Sequence, residues 1–257
     1  MAIDMEIAEG IAVITINSPE RLNAMDLDAY KALSEAWTQV RDDQRIRSAI
    51  ITGAGDRSFT TGADLKSFIT NPPDLSEYWL TQKDLLLNKG LEVWKPVVAA
   101  VNGYCLGGGM TLLLATDIRV AVPSATFALS EVKRGVLPAN GGTQRALAQL
   151  PHAIAMEMLL TGDPIDANTA ERWGLVNRIV ESDQLLDTAR DYASRMAANA
   201  PLAVQATKEL AVRSRDMDLA TGLRLEQAFA RLLKYTSDAK EGPKAFAEKR
   251  SPQFEGC

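Results

Sequence analysis

The chain has 257 residues, 46% of them hydrophobic, enough to bury a large core in one or two domains. Its net charge of −5 offers no basic face to nucleic acid or an anionic membrane, and no segment approaches the roughly 20 apolar residues of a membrane span. Two cysteines, Cys105 and Cys257, and a single histidine, His152, argue against a disulfide framework, a histidine-based metal site and a Ser–His–Asp triad.

In chain order, "EIAEGIAVITIN" predicts a β-hairpin around Glu9-Gly10. "DLDAYKALSEAWTQVRDD" predicts a helix with Asp26 as N-cap and Leu27, Tyr30, Leu33, Trp37 and Val40 on one face. "IRSAIITGAG" is a buried strand ending in a glycine loop, and "FTTGADLKSF" a loop entering a helix. "YWLTQKDLLLNKGLEVW" has a helical composition, and "KPVVAAVN" is a second buried strand. A glycine turn, "GYCLGGGMT", then opens an apolar helix, and "DIRVAV" and "ATFAL" are short strands. This alternation implies a mainly parallel sheet covered by helices. From about Leu150 helical patterns dominate, with Asn199 and Pro201 marking one helix start. His152, after Pro151 at another start, is expected on the surface. The N-terminus has neither the basic nor the apolar region of a signal peptide, and a reducing cytoplasm is the expected location.

Phe59–Lys66 and Gly103–Thr111 share one form: a buried strand, a turn with glycine, then a helix start. Helix starts expose free N–H groups, so two of them facing each other would form an oxyanion hole. Close strand–helix packing selects glycine equally well. Neither loop carries the spacing of a nucleotide phosphate cradle.

Five segments in order carry a resemblance: "ITGAGDRSFTTGADLK", "KPVVAAVNGYCLGGG", "SEVKRGVLPANGGTQR", "MEMLLTGDPIDANTAERWGLVNRIV" and "EGPKAFAEKR". Together they resemble the enoyl-CoA hydratase/isomerase, or crotonase, superfamily, the last two being most similar to its carnitinyl-CoA dehydratase branch. The resemblance implies an α/β spiral of ββα repeats over residues 1–195 and a helical trimerisation region over 196–257, with a homotrimer or homohexamer expected. It implies an acyl-CoA thioester as substrate, with coenzyme A part of that substrate, and no cofactor, metal, nucleic acid or membrane.

Matched by position, the oxyanion donors are the N–H groups of Ala63 and Gly108. Of the two glutamates that hydratases use, the second matches Glu131 and the first falls on Thr111, which has no titratable proton. The departure at Thr111 points away from ordinary hydration, toward a reaction in which Glu131 alone moves protons, as in the Δ3–Δ2 isomerases. A hydroxycinnamoyl-CoA hydratase-lyase is the alternative, but its C-terminal tyrosine has no counterpart at Leu225 or Gln227, and Tyr235 is off register. A non-catalytic acyl-CoA-binding relative is the other. Arg21, Lys66, Lys249 and Arg250 are implied as CoA-binding cations, the last two toward a neighbouring subunit. Phe68, Tyr78 and Trp79 fall in the region that lines the acyl pocket in relatives, and core packing explains them equally well.

Overall fold

The computed structural model describes residues 2–64, 66 and 85–257. Strands β1 (Ile3–Ala8) and β2 (Ile11–Ile16) pair antiparallel as the expected hairpin. Glu9 and Gly10 have φ of 53° and 77°, the left-handed pair whose turn matches the strand twist. Helix α1 (Leu27–Asp42) starts at Asp26, whose carboxylate accepts the Ala29 N–H. Leu33, Trp37 and Val40 are fully buried, and Tyr30 is half-buried. Leu27, expected on that face, is 41% exposed. Cβ vectors tilt toward the helix N-terminus, so a residue in the first position reaches past the end of the packed face.

Strands β3 (Ser48–Gly53) and β5 (Val97–Val101) are buried throughout. The remaining strands are β4 (Ser58–Thr60), β6 (Tyr104–Leu106), β7 (Ile118–Ala121), β8 (Thr126–Ala128), β9 (Ile165–Asp166) and β10 (Arg178–Ile179). They form two sheets rather than the one expected. The order is β1-β2-β3-β5-β7-β10 in the first and β4-β6-β8-β9 in the second. From β3 to β8 the chain places alternate strands in alternate sheets, with parallel pairing inside each. This is the ββα spiral that the resemblance implies.

Asn102 fixes one corner of it. Its Nδ2 donates to the carbonyls of Gly53 (2.8 Å) and Gly55 (2.7 Å), where the chain leaves the first sheet. Asn23 does the same from the other side, donating to Ala54 (3.0 Å) and Ser58 (2.6 Å). Buried backbone carbonyls at these turns need donors, and the two amides supply them.

Helix α2 (Gly108–Leu113) follows β6 and is buried except at its first residue. Then come α3 (Gly142–Gln149), α4 (His152–Thr161), α5 (Ala167–Arg172) and α6 (Leu185–Ala197). Helix α6 lies across β3, β5 and β7 through Ala189 and Ala193. Helices α7 (Pro201–Arg213) and α8 (Leu219–Leu233) pack on each other and bury no residue fully. Helix α9 (Asp238–Ala247) precedes the C-terminal segment. Pro201 opens α7 as expected, after Ala200, which caps without a side-chain bond. His152 is exposed at the start of α4, Cys105 is buried, Cys257 is exposed, and both thiols are free.

The helix expected over Tyr78–Trp94 is not formed in its described part. Leu85–Trp94 is turn and coil, and Gly90 sits at φ 90°. Leu86, Leu87, Leu91 and Val93 are buried, so the leucine-rich composition reflects core packing rather than helical periodicity. Phe68, Tyr78 and Trp79 lie outside the described residues. No helix among the described residues is long and apolar enough to cross a membrane.

Candidate active site

The site is built where two loops touch. After β4, the Thr60 hydroxyl donates to the Asn23 carbonyl (2.6 Å) and accepts the Gly62 N–H (3.0 Å). Gly62 has φ 83°, and its carbonyl accepts the Met25 N–H (2.8 Å), while the Asp64 N–H returns to the Met25 carbonyl (2.8 Å). The C=O and N–H of one trans peptide point in opposite directions. By holding the Gly62 carbonyl, Met25 therefore turns the Ala63 N–H away from itself.

In the second loop, Gly107 (φ 54°) donates to the Ala128 carbonyl (2.9 Å) and accepts the Thr111 N–H (3.1 Å), the first bond of α2. The Gly108 N–H is then one of the orphan donors of a helix start. A Cβ on Gly62 would lie 2.5 Å from the Gly108 nitrogen, and one on Gly108 would lie 3.1 Å from the Gly62 Cα and 3.5 Å from the Ala63 nitrogen. A side chain on Gly62 would collide with the second loop, and one on Gly108 would push the loops apart by a few tenths of an ångström. Neither the Ala63 nor the Gly108 N–H donates to the backbone of a described residue. Two such donors at one place can hold an oxygen that carries developing negative charge.

Glu131 opens the short 3-10 turn Glu131–Arg134 that follows β8. Its Oε1 stands 3.6 Å from the point a Cβ on Gly107 would occupy. Its Oε2 is buried and has no hydrogen-bond partner among the described residues. Burial raises its pKa above the ordinary carboxylate value, partly offset by a hydrogen bond from its own backbone and by Arg134. A carboxylate with one oxygen unpartnered among the described residues, close to these two N–H groups, is equipped to exchange protons with a bound molecule.

Thr111 lies one helical turn beyond Gly107 and is 2% exposed. Its hydroxyl donates to the Gly108 carbonyl (3.0 Å) and accepts from Asn88 Nδ2 (2.9 Å). Behind it, a Cβ on Gly142 would lie 2.7 Å from Thr111 Cγ2, so the "NGG" turn packs directly on this residue. Arg145 holds the surrounding backbone by donating to the Asn88 (3.1 Å) and Asn140 (2.8 Å) carbonyls.

Two residues here escaped sequence reasoning. Asn88 is 6% exposed, and its Oδ1 lacks a partner among the described residues. Its signal was a lone amide in the apolar run "LLLNKG". Tyr30 belongs to the apolar stripe of α1, yet its hydroxyl lies 3.1 Å from the point a Cβ on Gly108 would occupy. Burial, and then the charge of Glu131, raise its pKa, so the phenol stays protonated.

The four expected cations divide. Arg21 lies beside the first loop, 3.3 Å from Asp64, but Asp26 (3.3 Å) and Glu20 (3.5 Å) also pair with it. Lys66 is exposed, and its backbone N–H donates to Asp64 (3.1 Å). Lys249 is exposed after α9, and Arg250 pairs with Glu241 (2.5 Å) and Glu248 (2.7 Å) within the C-terminal segment. Tyr235, the phenol nearest the lyase position, is 86% exposed. Among the described residues no group of three His, Cys, Asp or Glu side chains could hold a metal ion.

Comparison with known proteins gives this geometry a context. The family model for enoyl-CoA hydratase/isomerase matches residues 6–257. The chain is 43% identical over 257 residues to (E)-benzylidenesuccinyl-CoA hydratase of Thauera aromatica, covering all of both chains. It is 41% identical to carnitinyl-CoA dehydratase of Salmonella arizonae, over 96% of this chain and 95% of that one. Among solved structures, enoyl-CoA hydratase of Bacillus anthracis superposes with a TM-score of 0.91 at 32% identity, covering all of both chains. That of Mycobacterium tuberculosis H37Rv gives 0.89 at 37%, over 100% and 99%. With agreement in sequence and in three dimensions along the whole chain, this protein belongs to the enoyl-CoA hydratase/isomerase family.

Proposed function

We propose that the enzyme reversibly adds water across the α,β double bond of an enoyl-CoA thioester, with Glu131 as its single protein acid/base. The observation that carries this reading is the buried Glu131 Oε2, without a partner among the described residues, close to two N–H groups that donate to no described backbone. The Ala63 and Gly108 N–H groups bind that oxygen. Water attacks Cβ while the Glu131 carboxylate takes its proton, and the C=C electrons move onto the thioester oxygen as an enolate. The enolate then collapses, and the Glu131 carboxylic acid delivers the same proton to Cα. Hydrogen and hydroxyl have been added, and Glu131 is again a carboxylate. Its raised pKa narrows the energy gap between accepting and returning the proton.

Water addition or removal is preferred to double-bond migration because two relatives are named a hydratase and a dehydratase. The Thr111 hydroxyl is committed to the Gly108 carbonyl, so its role in this reading is to hold the first turn of α2 rather than to carry a proton. A second reading, isomerisation with Glu131 carrying a proton between Cγ and Cα, is favoured by the absence of a carboxylate at position 111. The hydratase-lyase alternative is disfavoured by the exposure of Tyr235, and the non-catalytic one by the unused carboxylate.

In the same reading, Arg21 and Lys66 face the CoA, and Lys249 and Arg250 meet the CoA of a neighbouring subunit in a homotrimer or homohexamer. The spiral core spans 1–195 and the assembly region 196–257, no cofactor is needed beyond the CoA of the substrate, and the enzyme acts in the cytoplasm. The test is Glu131→Gln assayed with crotonyl-CoA. Hydration should fall by about 10²–10⁴-fold, the usual contribution of a positioned general acid/base. A rate within about threefold of wild type would remove Glu131 from the mechanism.

A further inference from the structure

Among the described residues, three buried side-chain polar atoms lack a hydrogen-bond partner: Trp37 Nε1, Asn88 Oδ1 and Glu131 Oε2. The first is a donor, and Trp37 belongs to the core. The other two are acceptors, and both residues border the turn Gly107–Thr111, Glu131 beside Gly107 and Asn88 on the Thr111 hydroxyl. The proton of that hydroxyl goes to the Gly108 carbonyl (3.0 Å), so the Thr111 oxygen can only accept from the amide, which must turn its NH2 group toward it (2.9 Å). Thr111 thereby fixes which amide atom is left over as the acceptor. The two heteroatoms of an amide are about 2.3 Å apart, which puts Oδ1 within about 5 Å of the Thr111 hydroxyl. We propose that Asn88 Oδ1 accepts a hydrogen bond from the attacking water and, in the product, from the β-hydroxyl that this water becomes. The inference rests on the reading of the reaction as hydration with Glu131 as its acid/base.

The chemistry asks for such an acceptor. Water attacks Cβ with a lone pair and carries two protons. Glu131 takes one and returns it to Cα. The other stays on the oxygen throughout, and in a site closed to solvent it needs a partner before and after the addition. Its O–H becomes more acidic as the C–O bond forms, so a neutral acceptor in place gains strength in the transition state. An amide oxygen suits this part because it holds the proton's position without taking it. Being uncharged, it also leaves the protonation of Glu131 undisturbed. Asn88 is held firmly enough to aim the water. Its carbonyl accepts from Arg145 Nη1 (3.1 Å), and the Leu86 carbonyl closes the turn around it by accepting the N–H groups of Lys89 (2.8 Å) and Leu91 (3.1 Å). Leu86, Leu87 and Leu91 are buried on either side. A buried acceptor without a partner costs stability, and an acceptor kept for a substrate atom accounts for that cost.

The test compares Asn88→Leu with wild type in the full-length protein. Leucine keeps the branching and approximate size of asparagine and removes the acceptor. Asn88→Ala, which introduces no clash, provides the same comparison if the leucine variant does not fold. Two rates are measured: hydration of crotonyl-CoA, and exchange of the α-protons of butyryl-CoA in D2O. Exchange needs the enolate and Glu131 but no oxygen at Cβ. The proposal expects hydration to fall by about tenfold, the upper range for one neutral hydrogen bond, with exchange held within about threefold. Binding gives a readout without turnover. In the Glu131→Gln background, calorimetric titration compares 3-hydroxybutyryl-CoA with butyryl-CoA, and the preference for the hydroxylated thioester should drop by about tenfold when Asn88→Leu is added. Hydration within threefold of wild type overturns the proposal. So does an equal fall in both rates, which marks a purely structural residue, and so does an unchanged preference for the hydroxyl. Glu131→Gln alone tests the underlying reading and should lose hydration and exchange together. If it keeps both, Glu131 is not the acid/base, and the comparison of hydration with exchange in Asn88→Leu still decides the role of Asn88.

Discussion

Replacing Gly108 by alanine separates catalysis from folding at this site. The added methyl would stand 3.1 Å from both the Gly62 Cα and the Tyr30 hydroxyl, closer than an ordinary contact by a few tenths of an ångström. The chain can absorb that, because Gly108 is the first residue of α2 and has no left-handed φ. A Gly→Ala change inside a helix is ordinarily worth about 0.5–1 kcal/mol, which offsets much of the contact strain. Catalysis is less tolerant. Oxyanion donors work within about 2.7–3.1 Å of the oxygen, so parting the loops by a few tenths of an ångström carries one N–H out of range. The expected loss is therefore that of one donor, about 10²–10³-fold in kcat or about 3–4 kcal/mol, with the melting temperature shifted by only a few degrees. Gly62→Ala is the control. Its Cβ meets the Gly108 nitrogen at 2.5 Å from a residue at φ 83°, so stability and activity should fall together. The assay follows the enoyl-thioester absorbance during hydration, with circular dichroism melts alongside. A Gly108→Ala enzyme with kcat within threefold of wild type would refute the reasoning, as would a loss matched by collapse of the fold.

Glu131→Gln should be more stable than wild type at neutral pH, because it removes the cost of ionising a buried carboxyl. The folded pKa is raised, so that cost is absent below the ordinary glutamate value and grows as pH rises toward the folded one. Melts of the two proteins should converge in acid and diverge at neutral pH, and parallel curves would contradict the assignment. Thr111→Glu alone should be destabilised by about 1–3 kcal/mol, since its larger side chain meets Asn88 and Gly142. Adding Asn88→Ala should restore stability and raise hydration above wild type, which urea titration and kcat would check. Leu219 and Leu232 stand exposed on α8, so light scattering should report a trimer or hexamer at micromolar concentration, and a stable monomer would count against the assembly.

The features legible in the sequence were those written in short-range patterns. Alternation around Glu9-Gly10 specified the hairpin, the apolar runs specified β3 and β5, and Asp26 marked the start of α1. The division into two sheets was hidden because β4, β6 and β8 have three residues each, too few for a periodicity, and because their pairing is non-local. Leu85–Trp94 misled because leucine is common both in helices and in any buried segment. In the candidate site, family spacing pointed to Glu131, Ala63 and Gly108, but Tyr30 was indistinguishable from its core-facing neighbours Leu33 and Trp37. Only the approach of its hydroxyl to Gly108 tells it apart.

The Met25–Gly62 hydrogen bond has a consequence for how such an enzyme can diversify. The direction of the Ala63 N–H is set by main-chain atoms of Met25, Gly62 and Asp64, and no side chain takes part in those bonds. Point substitutions at Met25 or Ala63 leave those atoms in place. The direction of the Ala63 donor in the proposed reaction is thus inherited with the path of the chain, buffered against substitution at Met25 and Ala63 themselves. Proton handling, in the proposed reaction, rests instead on the single side chain of Glu131, which one substitution replaces. A lineage built on this framework can exchange one reaction for another by altering one or two residues while its grip on the thioester persists.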